Sequence, residues 1–255
     1  MKIALIGYGK MGKMIEQIAR TQGHTIAAIV DPVASDFPAG IPSGKNIAEA
    51  NFDSIDAAIE FTQPAAAAAN LIALAERKIP TVTGTTGWLE QLGEVTRAVE
   101  NANSAMLWAS NFSIGVNLFY RIAWYAAELA NNFPEYDIGG FEAHHNKKLD
   151  SPSGTAKTLA EGVLSKIERK NKIVWETLDR KPQADEFHFP SLRMGSVTGQ
   201  HSLFFDSSAD TIEITHTARS REGFASGAVR AAEWLAGDKR CGVFTIDEML
   251  KSILS

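Results

Sequence analysis

Two adjacent imidazoles, three ammonium groups and a helix start fall within the sixteen residues from Glu142 to Lys157. Histidine is the side chain best suited to moving a proton near neutral pH, and lysine is a compact cation for a carboxylate or phosphate. In extended backbone His144 and His145 point to opposite faces, so they are read as two roles rather than one shared task. The run Asp150-Ser151-Pro152-Ser153-Gly154-Thr155 predicts the end of an extended segment and the start of a helix. Pro152 fixes its own φ, Ser151 or Ser153 can cap, and Leu159, Val163 and Leu164 then share one face. Backbone N–H groups near Gly154 and Thr155 make a natural anion site, with Lys147 and Lys148 just upstream. The chemistry implied is proton transfer beside a bound anion. The competing reading is that one imidazole is a hydrogen-bonded structural residue and the lysines are a solvated edge. A metal is not expected, because the chain has one cysteine and no His-x-x-x-His or Cys-x-x-Cys spacing accompanies the pair.

Such a segment needs elements that carry it. At 255 residues the chain can bury two modest cores, and its 45% hydrophobic and 22% charged content is ordinary for a globular protein. A net charge of −5 argues against nucleic acid as a partner, and no apolar run is long enough to span a membrane. The start lacks a signal-peptide pattern, and the single Cys241 agrees with a reducing, cytoplasmic setting.

Ile3 to Ile6 is a short apolar strand that runs into Gly7-Tyr8-Gly9-Lys10-Met11-Gly12 and then into Met14, Ile15, Ile18 and Ala19 at helical spacing. Asp31 closes the next strand, nineteen residues past Gly12. This is the grammar of a dinucleotide site: Gly7 permits the turn, Gly9 lets a pyrophosphate approach backbone N–H groups, Gly12 allows close packing and Asp31 can accept from ribose hydroxyls. Pro32 to Phe52 reads as loop. Further strands are predicted at Ala57–Phe61, Thr81–Thr83 and Ala105–Ala109, with a helix over Pro64–Arg77. The alternation predicts an α/β, doubly wound Rossmann-type parallel sheet, with ligand at the carboxyl ends of its strands. Thr62, Gly84, Thr85 and Thr86, and Ala109, Ser110, Asn111 and Phe112, fall there and are candidates for the nicotinamide end.

Beyond Asn111 the pattern changes to a helix over Val116–Asn131, a strand over Tyr136–Ala143, a helix from the Ser153 region to about Lys170 and alternating runs at Gly195–Asp206 and Thr211–Arg219. From Gly223 it returns to helix through Leu235 and Gly237, with a last short helix from Phe244. An α+β domain over 113–222 is therefore expected as an insertion in a dinucleotide-binding domain of residues 1–112 and 223–255.

The glycine loop, Gly84-Thr85-Thr86-Gly87, Asn111-Phe112-Ser113-Ile114-Gly115-Val116-Asn117, the Glu142–Ala156 segment and Ala228-Val229-Arg230-Ala231-Ala232 together resemble the 4-hydroxy-tetrahydrodipicolinate (dihydrodipicolinate) reductases, end to end. The resemblance implies a cytoplasmic homotetramer, built through the inserted substrate-binding domains, that reduces a cyclic unsaturated imine dicarboxylate with NADH or NADPH on the diaminopimelate route to lysine. By the same resemblance Gly7 to Gly12, Asp31, Gly84 to Thr86 and Ala109 to Phe112 line the cofactor. His144 is the proton donor, Lys148 assists it, and His145, Lys148, Ser153, Gly154 and Thr155 hold substrate. The glycine loop is one residue shorter than the double-glycine form common in that family, and Pro32 stands where some members place an arginine. Two alternatives are another two-domain nicotinamide dehydrogenase acting on an amino acid or its semialdehyde, and a nucleotide-binding sensor without turnover.

Overall fold

The computed structural model describes residues 1–254 and divides into two compact units, one of residues 1–113 with 222–255 and one of residues 114–221. In the first unit the chain runs β1 (Lys2–Ile6), α1 (Lys10–Thr21), β2 (Thr25–Val30), β3 (Ser43–Gly44), β4 (Ala57–Glu60), α2 (Pro64–Glu76), β5 (Thr81–Thr83), α3 (Leu92–Asn101) and β6 (Ala105–Trp108). The second unit holds α4 (Ile114–Ala130), β7 (Asp137–His144), α5 (Gly154–Leu164), β8 (Lys172–Val174), β9 (Glu186–His188), β10 (Ser191–Arg193), β11 (Gln200–Asp206) and β12 (Thr211–Thr217). The first unit then resumes with α6 (Glu222–Gly237), β13 (Gly242–Thr245) and α7 (Ile246–Leu254).

The first unit is a seven-stranded parallel sheet in the order β13-β6-β5-β4-β1-β2-β3. All four residues of β4 and the last four of β1 are buried, as expected for strands covered on both faces. Leu74 and Ile79 pack on Ala4, Ile6, Ala28 and Val30, while Leu71, Val95, Val99 and Met106 join a second cluster with Trp88.

The second unit is a mixed sheet in the order β12-β11-β7-β9-β8, with β10 also paired to β7. Strand β7 is its hub. It runs antiparallel to β11 along one edge, and on the other it meets β9 and β10 in parallel. Helices α4 and α5 bury Phe119, Ala123, Leu159 and Val163 with Phe187, Phe189, Leu203 and Phe205.

Three sequence expectations differ from this fold. The helix predicted to about Lys170 ends at Leu164: Lys166, Ile167 and Lys170 N–H close tight turns onto the Val163, Leu164 and Ile167 carbonyls, and Glu168 N–H donates to Asn131 Oδ1. The segment read as helix from Phe244 begins as strand, since Gly242–Thr245 pairs with Ala105–Trp108. Thr245 then opens α7, its N–H donating to Glu248 Oε2 at 2.7 Å in the manner of a capping box. Within the stretch read as loop, Ser43 and Gly44 pair with Ile29 and Val30 at the sheet edge.

Candidate active site

Sheet register gathers one group of side chains around Glu142. On β7, Glu142 and His144 are two residues apart and share a face. His201 stands opposite Glu142 on β11, Ser191 opposite it on β10, and Arg193 opposite His144. Glu142 Oε1 accepts from Ser153 N–H at 2.9 Å, Ser191 Oγ at 2.7 Å and Arg193 Nη2 at 2.9 Å. Its Oε2 lies 3.0 Å from His144 Nδ1 and 3.6 Å from His201 Nε2. The 3.0 Å approach is a close contact and not an aligned hydrogen bond, for neither atom has a hydrogen-bond partner of good geometry.

Glu142 is fully buried. Burial would raise its pKa, but the polar groups of His144, His201, Ser153 and Ser191 gathered around it outweigh this and hold the carboxyl far below the usual range. Burial also pushes the His201 imidazole down, against the pull of Glu142, so His201 is held neutral. Glu142, His144 and His201 offer a cluster of ligand-type atoms within 4.8 Å of one another. Arg193 already occupies the same carboxylate, however, and a cation placed there would meet its charge.

His144 is the last residue of β7 and is 8% exposed; His145 lies beyond the strand, half-buried. Met194 N–H donates to the His144 carbonyl at 2.9 Å, which fixes the backbone beneath the ring. A side chain at Gly199 would put its Cβ 3.1 Å from His144 Nε2, so that glycine keeps space beside the nitrogen remote from Glu142. Lys148 Nζ lies 2.8 Å from Asp150 Oδ1.

Helix α5 starts where the sequence placed it, with Ser153 as the cap: its Oγ accepts from Ala156 N–H at 3.1 Å. The same hydroxyl meets His201 Nε2 at 3.3 Å and is 2% exposed. Ser153, expected among the substrate contacts, therefore faces inward and ties α5 to Glu142 and His201. Gly154 is exposed and Thr155 half-buried in the first turn, within reach of a ligand.

In the first unit Gly7 has φ +94°, and a Cβ there would fall 2.0 Å from the Phe61 carbonyl. A Cβ at Gly12 would fall 2.2 Å from the Gly7 carbonyl, whereas one at Gly9 meets nothing within 4 Å. Helix α1 begins at Gly9 with no side-chain cap and no acid in its first turn, where Lys10 and Met11 stand. Its N–H groups are thus suited to a pyrophosphate. Asp31 accepts from Tyr8 N–H at 2.7 Å and from Val33 and Ala34 N–H at 2.8 Å each. Burial would raise its pKa, yet these three donors lower it below the ordinary range, so it remains a carboxylate. These features fit a dinucleotide.

At the neighbouring strand ends, Thr85 Oγ1 accepts from Thr62 N–H at 2.8 Å, and its carbonyl accepts from Trp88 Nε1 at 2.8 Å. Gly84 abuts the Phe61 ring, so a Cβ would overlap it at 2.2 Å. Thr86 and Ser110 are exposed, Asn111 is half-buried and Ala109 is buried. Phe112 is 1% exposed and packs at 6.1 Å from the Phe61 ring, a core position rather than a lining one.

Sequence reasoning missed His201, Arg193 and Ser191 as members of the site, and it quoted Glu142 only as part of a motif. Their one available signal was alternation in the runs around β10 and β11, which gives faces but not partners.

The model for the N-terminus of dihydrodipicolinate reductase matches residues 1–112, and that for its C-terminus matches residues 115–250. A 4-hydroxy-tetrahydrodipicolinate reductase from Christiangramia forsetii is 39% identical over 99% of both chains, and one from Archaeoglobus fulgidus is 35% identical over 98% of this chain and 100% of its own. Among solved structures, a dipicolinate-bound dihydrodipicolinate reductase from Paenisporosarcina sp. TG-14 shares the fold with a TM-score of 0.76 at 22% identity, covering 96% of this chain and 97% of its own. With both halves matched and relatives of this similarity over the full length, the chain belongs to the 4-hydroxy-tetrahydrodipicolinate reductase family, NAD(P)H-dependent oxidoreductases of lysine and diaminopimelate biosynthesis.

Proposed function

We propose that His144 is the proton donor in this family's reaction, the reduction of 4-hydroxy-tetrahydrodipicolinate to tetrahydrodipicolinate. The observation that carries the reading is the seat of His144 at the end of β7, with Nδ1 on the buried Glu142 carboxylate and Nε2 beside the space kept by Gly199. Loss of the 4-hydroxyl as water gives the conjugated imine, and NADH or NADPH, when bound, would supply the hydride to its electrophilic end. The enamine carbon left behind takes a proton from His144, which Glu142 orients. Lys148 assists. His145 and Lys148, with the α5 start at Gly154 and Thr155, meet the substrate carboxylates, and Ser153 supports that turn from beneath.

In the same reading, residues 1–112 and 223–255 hold NADH or NADPH along Gly7–Gly12, Asp31, Gly84–Thr86 and Ala109–Asn111, with Phe112 as backing. Residues 113–222 bind substrate and the other subunits. A homotetramer is supported by the exposed stripe of Leu118, Ile122, Tyr125 and Leu129 along α4, with Phe133 exposed just beyond it and Ile212 exposed on the edge strand β12. Among the described residues no helix is long and apolar enough to cross a membrane, and the single cysteine supports a cytoplasmic setting.

The test is His144→Ala, assayed by loss of NADH absorbance with substrate generated in situ. The turnover number should fall by on the order of 10² to 10⁴ while the substrate KM changes much less. An unchanged turnover number removes His144 from the mechanism.

A further inference from the structure

Glu60 is 0% exposed at the carboxyl end of β4. Strand register sets it between Ile6 of β1 and Thr83 of β5, beside both the glycine loop and the Gly84–Thr86 turn. Its Oε1 accepts from Thr62 Oγ1, and its Oε2 accepts from Thr83 Oγ1 at 2.5 Å. The Thr62 hydroxyl oxygen also receives Asn70 Nδ2 at 3.5 Å and lies 3.5 Å from the Gln63 carbonyl. Both carboxyl oxygens are thus held by threonine hydroxyls. Among the described residues no ion pair or hydrogen bond brings a Lys, Arg or His to this carboxylate.

A buried carboxylate with hydroxyl donors only is costly, and a glutamine could satisfy the same neighbours without the charge. The strand ends of a doubly wound sheet are where a dinucleotide lies, and this cofactor changes charge when it reacts: the nicotinamide ring is neutral when reduced and cationic once the hydride has left. A fixed negative charge with no cation of its own favours the oxidised ring over the reduced one. We propose that Glu60 is a positioning residue for the reaction, whose buried charge at the end of β4 selectively stabilises the cationic nicotinamide. The proposal rests on cofactor binding at the carboxyl ends of β1, β4 and β5. It requires nothing of His144.

Equilibrium binding to the full-length protein tests it. NADH is titrated by fluorescence and NAD⁺ by competition, at one salt concentration, for wild type, Glu60→Gln, Glu60→Asp and Thr83→Val. For Glu60→Gln the Kd of NAD⁺ should rise about tenfold more than that of NADH, about 1.4 kcal/mol of discrimination. Glu60→Asp retains the charge and should keep the NAD⁺ to NADH ratio within about twofold of wild type, which maintains the test if the glutamine variant does not fold. Thr83→Val removes a hydroxyl and no charge, so both affinities should move together. A Glu60→Gln ratio equal to that of wild type, or a Glu60→Asp ratio shifted as far as the glutamine variant's, overturns the proposal. Wild type binding neither dinucleotide overturns the cofactor reading instead.

Discussion

Glu142 and His201 face each other across the β7–β11 ladder, and His201 Nε2 lies 3.6 Å from the carboxylate oxygen that also meets His144 Nδ1 at 3.0 Å. One buried carboxylate therefore orients the proposed proton donor and is itself held by residues from two other strands and the α5 cap. The site depends on Glu142 twice, for its charge and for its register.

Removing that charge should cost both stability and turnover. Glu142→Gln leaves the partly buried Arg193 guanidinium without its counter-ion, and the loss is expected to be on the order of 3 kcal/mol. A urea midpoint shifted at constant slope measures it. A variant as stable as wild type would show that Ser191 and the Ser153 N–H alone hold the turn.

Acid should destabilise the protein in two windows. Unfolded, His201 titrates near its ordinary 6.5, and folded it stays neutral to lower pH. The unfolded chain thus binds more protons below 6.5, and stability falls as pH falls. His216, lowered by burial and then by His201, adds in the same direction. Glu142 acts below its ordinary 4.5, again because only the unfolded carboxyl takes up the proton. His201→Asn should shrink the stability lost between pH 7 and 5 and leave the loss below 4.5 in place, as chemical denaturation at each pH would reveal.

Gly199→Ala should impair turnover without touching cofactor binding. Its Cβ would stand 3.1 Å from His144 Nε2 at a φ of +145° that side chains rarely adopt. The strain should lower stability by roughly 1 to 3 kcal/mol, and displacement of the ring by even a fraction of an ångström should reduce the turnover number by on the order of tenfold to a hundredfold. Steady-state kinetics beside an NADH titration separates these effects. Equal turnover would mean that Nε2 does not face the substrate.

NADH should be used better than NADPH. Asp31 is fixed by three N–H donors as a carboxylate, which accepts ribose hydroxyls and repels a 2′-phosphate. Lys10 and Lys13, in and just after the glycine loop, are the lysines that could offset the repulsion, but Lys13 is paired with Asp36 and lies 5.7 Å from the Tyr8 ring centroid. No arginine follows Asp31. Specificity constants at one fixed salt concentration decide the matter, and a tenfold or greater preference for NADPH, about 1.4 kcal/mol, would overturn the reading.

By itself the sequence determined what local chemistry dictates. The strand, glycine turn and helix at Ile3–Ala19, the acid at Asp31, the alternation through Trp108 and the helix start at Ser153 all follow from residues within a few positions of one another. The Glu142–Thr155 segment pointed to the family for the same reason, since its histidines, lysines and cap are contiguous. Tertiary structure decided which strands meet. His201, Ser191 and Arg193 lie 48 to 59 residues beyond Glu142 or Ser153 in the chain, and cross-strand register joins them; a shift of one residue would have turned them to the other face. It also ended α5 at Leu164, where the backbone tightens into i→i−3 turns and Glu168 N–H bonds the distant Asn131 Oδ1. Gly242–Thr245 became strand by the same rule: four residues carry too little periodicity to declare themselves, and only the open edge of β6 gave their backbone groups partners.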